Sequence, residues 1–457
     1  MNQVCIVGAG LAGTYLAIAL ARRGIAVRLC EHRTLAALQT DMNAADQSAY
    51  RHGRSIALAL SHRGLHALAK LGLESEALSI ARRMLGREIH LEDGSTGFTA
   101  YDPTGRECIF AISRVELFAL LMRAASDETL IDVRFGESLN DWRQDDRQVT
   151  AAFSCGSSEH FAALIGADGA NSRTRESLQQ TAQANFQRLD FGASYKEVRL
   201  YSRDKPFDRQ ALHIWPRGSL MLTGLPGSEP GVLDGTLFLV NDSAASWFTD
   251  RSELQRQFLN SFPDVELTKD EADAIMARPL SRIYTISGGP WYAGKALLIG
   301  DAAHAMTPFL GQGMNCALED CVVLLDCIDA ADGDFASAFA GFDTRRRTDV
   351  EAIARLSLMN CEEMMLHAGT PAYFQRKRLE SWLTTHFPGV FVPFYSAISF
   401  NGTPYAKVLM LKELQDGLLD QLQTHGIGGR ALNSAESDYT ALELMLYHEK
   451  ATHLLGA

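Results

Sequence analysis

Between Gln3 and Arg33 the chain reads QVCIVGAGLAGTYLAIALARRGIAVRLCEHR, and the period of its apolar positions changes along the way. CIV is an apolar run of strand type, TYLAIALARR repeats at helical spacing, Gly24 stops that helix, and AVRLCE is a second strand. The spacing predicts strand, glycine turn, helix and strand. Further on, GRSIALALSHRGLHALAKLGL predicts a short strand, a turn and a helix. FAISRVELFALLMRAASD predicts a strand end followed by a helix with Arg114 at its mouth. From Ser194 to Asn241 the pattern turns to alternation, in SYKEVRLYS, LHIWPRG, LMLTGLPG and GTLFLVN, which predicts an antiparallel sheet as a second module. Helical spacing returns from about Met314 and continues to the end, broken by FPGVFVPFY and NGTPYA, so the last part of the chain is expected to form a helical cap.

Composition narrows the classes. A chain of 457 residues exceeds what one core usually holds, so two or three sub-domains are expected. Hydrophobic content of 46% and charged content of 21% are ordinary for a folded globular protein. The net charge of -12 argues against a nucleic-acid partner, because phosphate binding rests on clustered Lys and Arg. The eight cysteines are dispersed without a CxxC pair and are expected to be reduced and structural. MNQ leads straight into an apolar strand with no export signal, and no apolar run is long enough to span a bilayer, so a cytoplasmic protein with no membrane partner is expected.

Gly8, Gly10 and Gly13 form a G-x-G-x-x-G at the first strand-helix turn, with Glu31 at the end of the second strand. Such glycines permit a tight turn and close approach to a pyrophosphate, and the acid accepts hydrogen bonds from a ribose. This pattern does not choose between FAD and NAD. Two more strands end on an acid: ALIGADGANSRTR at Asp168-Gly169, and LLIGDAAHAMTPFLGQGMNCALED at Gly300-Asp301. The second continues through Pro308, Gly311 and Gly313 into a helix. Its bare backbone would turn unpaired N–H groups and a partial positive charge toward an electron-rich ligand.

Together these three signatures resemble those of the FAD-dependent aromatic hydroxylases of the p-hydroxybenzoate hydroxylase fold class. The resemblance implies an α/β architecture: a Rossmann-like FAD domain from 1–64, 103–180 and 285–345, an antiparallel-sheet substrate domain from 65–102 and 181–284, and a C-terminal helical domain from 346–457. It implies FAD held non-covalently by Gly8, Gly10, Gly13, Glu31, Arg54, Ala59, Arg114, Leu139, Asp168, Asp301, Gly313, Met314 and Asn315.

Within that class, GRSIALALSHRG, REIH, LHIWPR, GDAAHAMTPFLGQGMN and MNCEEM resemble segments of the kynurenine 3-monooxygenase family. This closer resemblance implies a substrate whose amino-acid carboxylate is held by Arg87, Tyr101, Asn360 and Tyr395, with Phe309 also in the substrate site and, together with Met314, a candidate for its wall near the flavin. It also implies NADPH and O2 as co-substrates, and a C4a-hydroperoxyflavin that hydroxylates L-kynurenine to the 3-hydroxy compound, a step of tryptophan degradation by the kynurenine route. On the same resemblance the flavin drives the chemistry, so no catalytic side chain is expected, and a homodimer is compatible with this reading.

Each anchor residue also has an ordinary structural reading: Arg87 a surface charge, Tyr101 and Tyr395 core aromatics, Asn360 a polar residue on an exposed helix face. His213 and Trp215 fall on the sheet expected to roof the pocket, where core packing explains them equally well. Two features depart from the family pattern: Phe309-Leu310 after the proline, and a long stretch, LAALQTDMNAADQSAYRH, ahead of Gly53. No spaced metal-ligand set is visible. The same chemistry on a ring-substituted kynurenine or related anthraniloyl amino acid, and a non-catalytic flavin-binding sensor, remain alternatives. A flavin-dependent halogenase would call for a W-x-W-x-I-P string, which is absent.

Overall fold

A computed structural model describes residues 3–38, 57–181, 184–240, 246–427 and 434–455. Arg54 and most of the long stretch ahead of Gly53 lie outside the described residues. Among those described, a six-stranded sheet runs in the spatial order Tyr292–Ala293, Ala296–Leu298, Ala163–Gly166, Val4–Val7, Val27–Glu31, Ile131–Phe135. All neighbours pair in parallel except the first two. Parallel strands are covered on both faces, which explains why VCIV reads as a continuous apolar run rather than an alternating one. The helix Leu11–Ala21 is buried from Gly13 to Ala21. It therefore needs no polar stripe, and the sequence supplies none.

The alternating segments form a second sheet. The 18-residue strand Asn185–Ser202 pairs along its first half with Ser281–Gly289 and along its second with Val232–Val240. Leu220–Pro226 and Ala211–Arg217 come next. Gly86–His90 then joins in parallel beside Ala211–Arg217, with Thr96–Ala100 at its other edge. Arg87 thus reaches this sheet from a distant part of the chain. A small sheet of Ala57–Leu60, Ile109–Ser113 and Arg82–Met84 lies between the two bodies in sequence, and its Met84, Ile109 and Ala111 pack with Tyr101.

Several expected boundaries do not coincide with breaks in the structure. Residue 64 falls inside the helix His62–Lys70, whose Ala67 and Leu68 share a core with the nucleotide sheet. Residue 345 falls inside the 28-residue helix Phe335–Glu362. Leu356, Leu379, Leu383, Val408 and Leu411 of the C-terminal helices belong to that same core. Packing continuity sets these limits, and the sequence pattern does not display it. All eight cysteines are free, six of them buried. Among the described residues no helix is long and apolar enough to cross a membrane.

Candidate active site

The nucleotide turn is dictated by its glycines. Gly8 has φ +102, and a Cβ there would lie 2.5 Å from the Ala167 carbonyl oxygen. A Cβ on Gly13 would lie 2.0 Å from the Gly8 oxygen. The chain itself requires both glycines. Gly10 differs: its φ is an ordinary -76, and nothing lies within 4 Å of a Cβ built on it. Its bareness faces open space at the N-terminus of the helix Leu11–Ala21, where a pyrophosphate fits. Glu31 ends the second strand almost fully buried, accepting hydrogen bonds from Ala9 N at 3.1 Å and from Arg33 N and Nε at 3.0 and 2.9 Å. Burial opposes its charge most strongly, yet the Arg33 contacts hold its carboxyl below the usual range. An ionised acceptor beside the glycine turn suits a ribose.

At the third signature, Gly300 (φ +56) breaks the strand direction and leaves Asp301 exposed at the start of the short helix Asp301–His304. The helix Gly313–Ala330 begins nearby, and its first backbone bond is Cys316 N to Gln312 O at 2.8 Å. The N–H groups of Gly313, Met314 and Asn315 therefore lack intrahelical acceptors, as at any helix start. Gly313 repeats the Gly10 observation, with nothing within 4 Å of a built Cβ. An open helix start, an exposed acid and a bare glycine turn fit FAD with its pyrophosphate at Gly10 and its isoalloxazine at Gly313.

Other expected contacts divide by where their side chains go. Asn315 is fully buried: its Oδ1 accepts from Ser61 N at 2.9 Å, and its Nδ2 donates to Ala59 O at 2.8 Å and Gly311 O at 3.0 Å. It locks the helix start to the strand Ala57–Leu60, so only its backbone is left to face a cofactor. Asp168 turns into its own loop, accepting from Ser172 Oγ at 2.6 Å and from Thr174 N and Oγ1 at 3.1 Å. This carboxylate, expected at the cofactor, shapes the entry to the helix Arg173–Thr181. Arg114 starts the helix Arg114–Ser126 and is exposed, whereas Leu139 is buried at the start of the strand Leu139–Gln144.

Two supports escaped the sequence reading. Arg175 donates to Ala302 O at 2.8 Å and Ala170 O at 2.7 Å, joining the second signature to the third. Asp320, fully buried, accepts from Gly300 N at 3.2 Å and Arg346 Nε at 2.9 Å, and pairs with His304 Nε2 at 2.6 Å. An acid in an apolar helix, DCVVLLDC, was the one available signal. Asp320→Ala would leave Arg346 and His304 facing a gap, and breaking such a buried pair costs about 3–5 kcal/mol. The variant is expected to melt well below the parent in a thermal scan, and an unchanged melting temperature would show that Asp320 supports nothing.

Of the expected substrate anchors, Arg87, Tyr101 and Tyr395 come together from three segments of the chain. Arg87 projects from the strand Gly86–His90 and is 7% exposed, so the surface-charge reading fails. Its Cζ lies 4.7 Å from the Tyr395 ring centroid and 5.8 Å from that of Tyr101. The two tyrosine rings stack at 4.9 Å with 14° between planes. Asn360, also buried near the end of the helix Phe335–Glu362, donates to Phe309 O at 2.7 Å and contacts Met364 Sδ at 2.9 Å. It thereby links to the Pro308–Leu310 turn after the flavin signature, where the Phe309 ring packs on Phe238 at 5.0 Å. Among the described residues, Arg87 Nε, Tyr101 OH and Asn360 Oδ1 are buried without a hydrogen-bond partner. Three orphaned polar atoms of complementary kind, a cation, a hydroxyl and an amide oxygen, ask for a polar guest.

His213 and Trp215 stand on the other side. Along Gly86–His90 alternate residues point to opposite faces, so Glu88 and His90 leave the sheet away from Arg87. His90 stacks on Trp215 at 4.1 Å, and Trp215 belongs to a separate core with Phe258 and Phe262.

Glu363 enters just beyond Asn360. Although burial opposes its charge most strongly, Lys377 at 3.2 Å and Arg87 hold its pKa down to about 2. Its contribution to stability is therefore present above the unfolded value near 4.5 and is lost as pH falls toward 2. Glu363→Gln should flatten the acid side of a stability-versus-pH curve from urea titrations, whereas an identical acid limb would contradict this.

A family model described as an FAD binding domain matches residues 1–332. A kynurenine 3-monooxygenase of Myxococcus xanthus (strain DK1622) is 38% identical over 431 residues, covering 92% of this chain and 90% of the relative. One from Xanthomonas campestris pv. campestris (strain 8004) is 36% identical over 477 residues, covering 100% of this chain and 98% of its own. The chain belongs to the kynurenine 3-monooxygenase family. It is an FAD-dependent aromatic monooxygenase. Solved structures agree in fold alone: the tetrameric form of 2-methyl-3-hydroxypyridine-5-carboxylic acid oxygenase (TM-score 0.65, 20% identity, 83% of this chain, 96% of that one) and tetracycline destructase Tet(51) (TM-score 0.62, 18% identity, 86% and 99%). Family membership supplies FAD as the cofactor, and it leaves the substrate to be argued from the pocket.

Proposed function

We propose that the protein hydroxylates L-kynurenine to 3-hydroxy-L-kynurenine, using NADPH and O2. The observation that carries this is the buried Arg87 guanidinium, with its unpartnered Nε, beside the Tyr101–Tyr395 stack. The kynurenine amino-acid carboxylate binds Arg87 through charge-assisted hydrogen bonds, and Tyr101 OH adds a neutral donor. Asn360 fixes the other end of this polar wall to Phe309. The aromatic ring then extends along Phe309 toward the start of the helix Gly313–Ala330.

FAD bound at this site would supply the redox chemistry, in which NADPH gives two electrons, one oxygen atom of O2 enters the substrate ring and the other leaves as water. The substrate's own aniline nitrogen raises electron density at the adjacent ring carbon, so the protein needs no nucleophile there. What the chain contributes is orientation and dryness: Arg87 sets the distance of the ring from the flavin site, while Phe309, Met364 and Met365 exclude water. No second G-x-G-x-x-G comes after a strand in the sequence, so the nicotinamide binds transiently. Eight free thiols suit a reducing cytoplasm.

Purified holoenzyme should oxidise NADPH faster when L-kynurenine is added, and a panel of ring-substituted kynurenines should be slower. A faster substituted kynurenine would assign the pocket to that relative. No acceleration by any aromatic amino acid would reject the hydroxylase reading of this pocket.

A further inference from the structure

Behind Arg87, on the opposite face of its strand, Glu88, His90 and His213 bring one carboxylate oxygen and two ring nitrogens within 4.8 Å of one another. The histidines are 123 residues apart in sequence. No ligand-spacing motif could announce them.

The hydrogen bonds around the two rings leave one contact without a proton. His90 Nδ1 lies 2.7 Å from Asp264, whose carboxylate also accepts from Trp215 Nε1 at 3.0 Å. His213 Nε2 lies 2.8 Å from the Asp208 carbonyl oxygen. Both partners can only accept, so each ring must place its N–H outward. That leaves His90 Nε2 and His213 Nδ1 as two lone pairs facing each other at 2.9 Å, with Glu88 Oε2 at 3.3 Å from the second. Two neutral imidazoles have two N–H protons for three contacts. The gap between them therefore requires a cation.

We propose that this cation is a divalent transition metal of the zinc type, bound by Glu88, His90 and His213. Two imidazole nitrogens on a tetrahedral metal, at ~2.05 Å each, stand about 3.3 Å apart with ring centres about 5.2 Å apart. The observed ring centres are 5.1 Å apart, so small ring rotations suffice. Each histidine already carries the outer partner usual for a metal ligand, a carboxylate for one and a backbone carbonyl for the other. Two carboxylates, Glu88 and Asp264, match a divalent charge. The Glu88 side chain is 23% exposed, which leaves an open side for a water as fourth ligand. The other such group, His304, Cys316 and Asp320, differs in that Arg346 already neutralises its acid.

The metal would staple the strand Gly86–His90 to Ala211–Arg217 and, through Asp264, to the segment entering Val265–Glu266, holding the strand that presents Arg87. The site stands whether or not kynurenine is the substrate. FAD-loaded enzyme, stripped with a chelator and dialysed, should bind one equivalent of Zn2+ in calorimetry. Co2+ in its place should give the intense visible bands of a tetrahedral ion, to the red of the flavin. Glu88→Gln and His213→Gln should each weaken Zn2+ binding at least tenfold. Glu88→Gln, at a partly exposed position, should keep the flavin spectrum unchanged and lose the rise in melting temperature that Zn2+ gives the parent. Less than one equivalent bound by the parent, or parent-like binding by both variants, would overturn the proposal and leave a proton shared between the rings.

Discussion

Arg87→Ala will keep its FAD and lose kcat/KM for L-kynurenine by roughly 30- to 1000-fold, equivalent to about 2–4 kcal/mol. The magnitude comes from burial. Arg87 is 7% exposed, so a substrate carboxylate meets it in a site with little water to screen the charge. Removing the guanidinium also leaves that carboxylate buried without a partner. The loss should fall mainly on KM, because the anchor acts before and during the chemical step alike. Flavin retention should be intact, since Arg87 lies on the second sheet and none of its contacts touches the glycine turn. Arg87→Lys should recover only part of the loss, because an ammonium cannot offer the planar fork. Steady-state kinetics with FAD content measured on the same sample checks this, and an unchanged KM would remove Arg87 from the anchor.

Gly10→Thr will fold as the parent does and bind FAD roughly 10- to 100-fold more weakly. Gly10 is the N-cap of the helix Leu11–Ala21 with extended ψ, and threonine serves that position about as well as glycine. Nothing in the chain lies within 4 Å of the new Cβ. The added atoms therefore meet only what enters from outside, at an overpacking cost of about 1–3 kcal/mol. Gly13→Thr is the contrast: its Cβ would lie 2.0 Å from the Gly8 oxygen, so the apoprotein itself should fail. Apoprotein melting and FAD fluorescence titration separate the two. Parent-like FAD affinity in Gly10→Thr would place the pyrophosphate elsewhere.

Legibility in the sequence tracked the range of the forces. The nucleotide unit was plain because its glycines, its all-apolar helix and Glu31 are local features, each set by steric or burial demands within one βαβ turn. The antiparallel sheet was plain from its alternation. Resemblance, rather than period, brought Arg87, Tyr101, Asn360 and Tyr395 forward, and their burial and meeting depend on the parallel insertion of Gly86–His90 beside Ala211–Arg217. No local pattern encodes that pairing. Asp168 shows the limit of a strand-end acid as a signal: the pattern looks the same whether the acid faces a ligand or caps its own loop, and the bonds from Ser172 and Thr174 depend on residues beyond it. Asp320, Arg175 and the Glu88–His90–His213 group were invisible for the same reason: each joins elements distant in sequence.

Kynurenine hydroxylation is tested most directly by the product itself. The holoenzyme would be reduced with NADPH in the presence of L-kynurenine, then mixed with isotopically heavy dioxygen, and the aromatic product identified by mass and chromatography. One heavy oxygen in a compound that co-elutes with 3-hydroxy-L-kynurenine is the predicted result. Unmodified kynurenine, with all the consumed oxygen recovered as hydrogen peroxide, would contradict it.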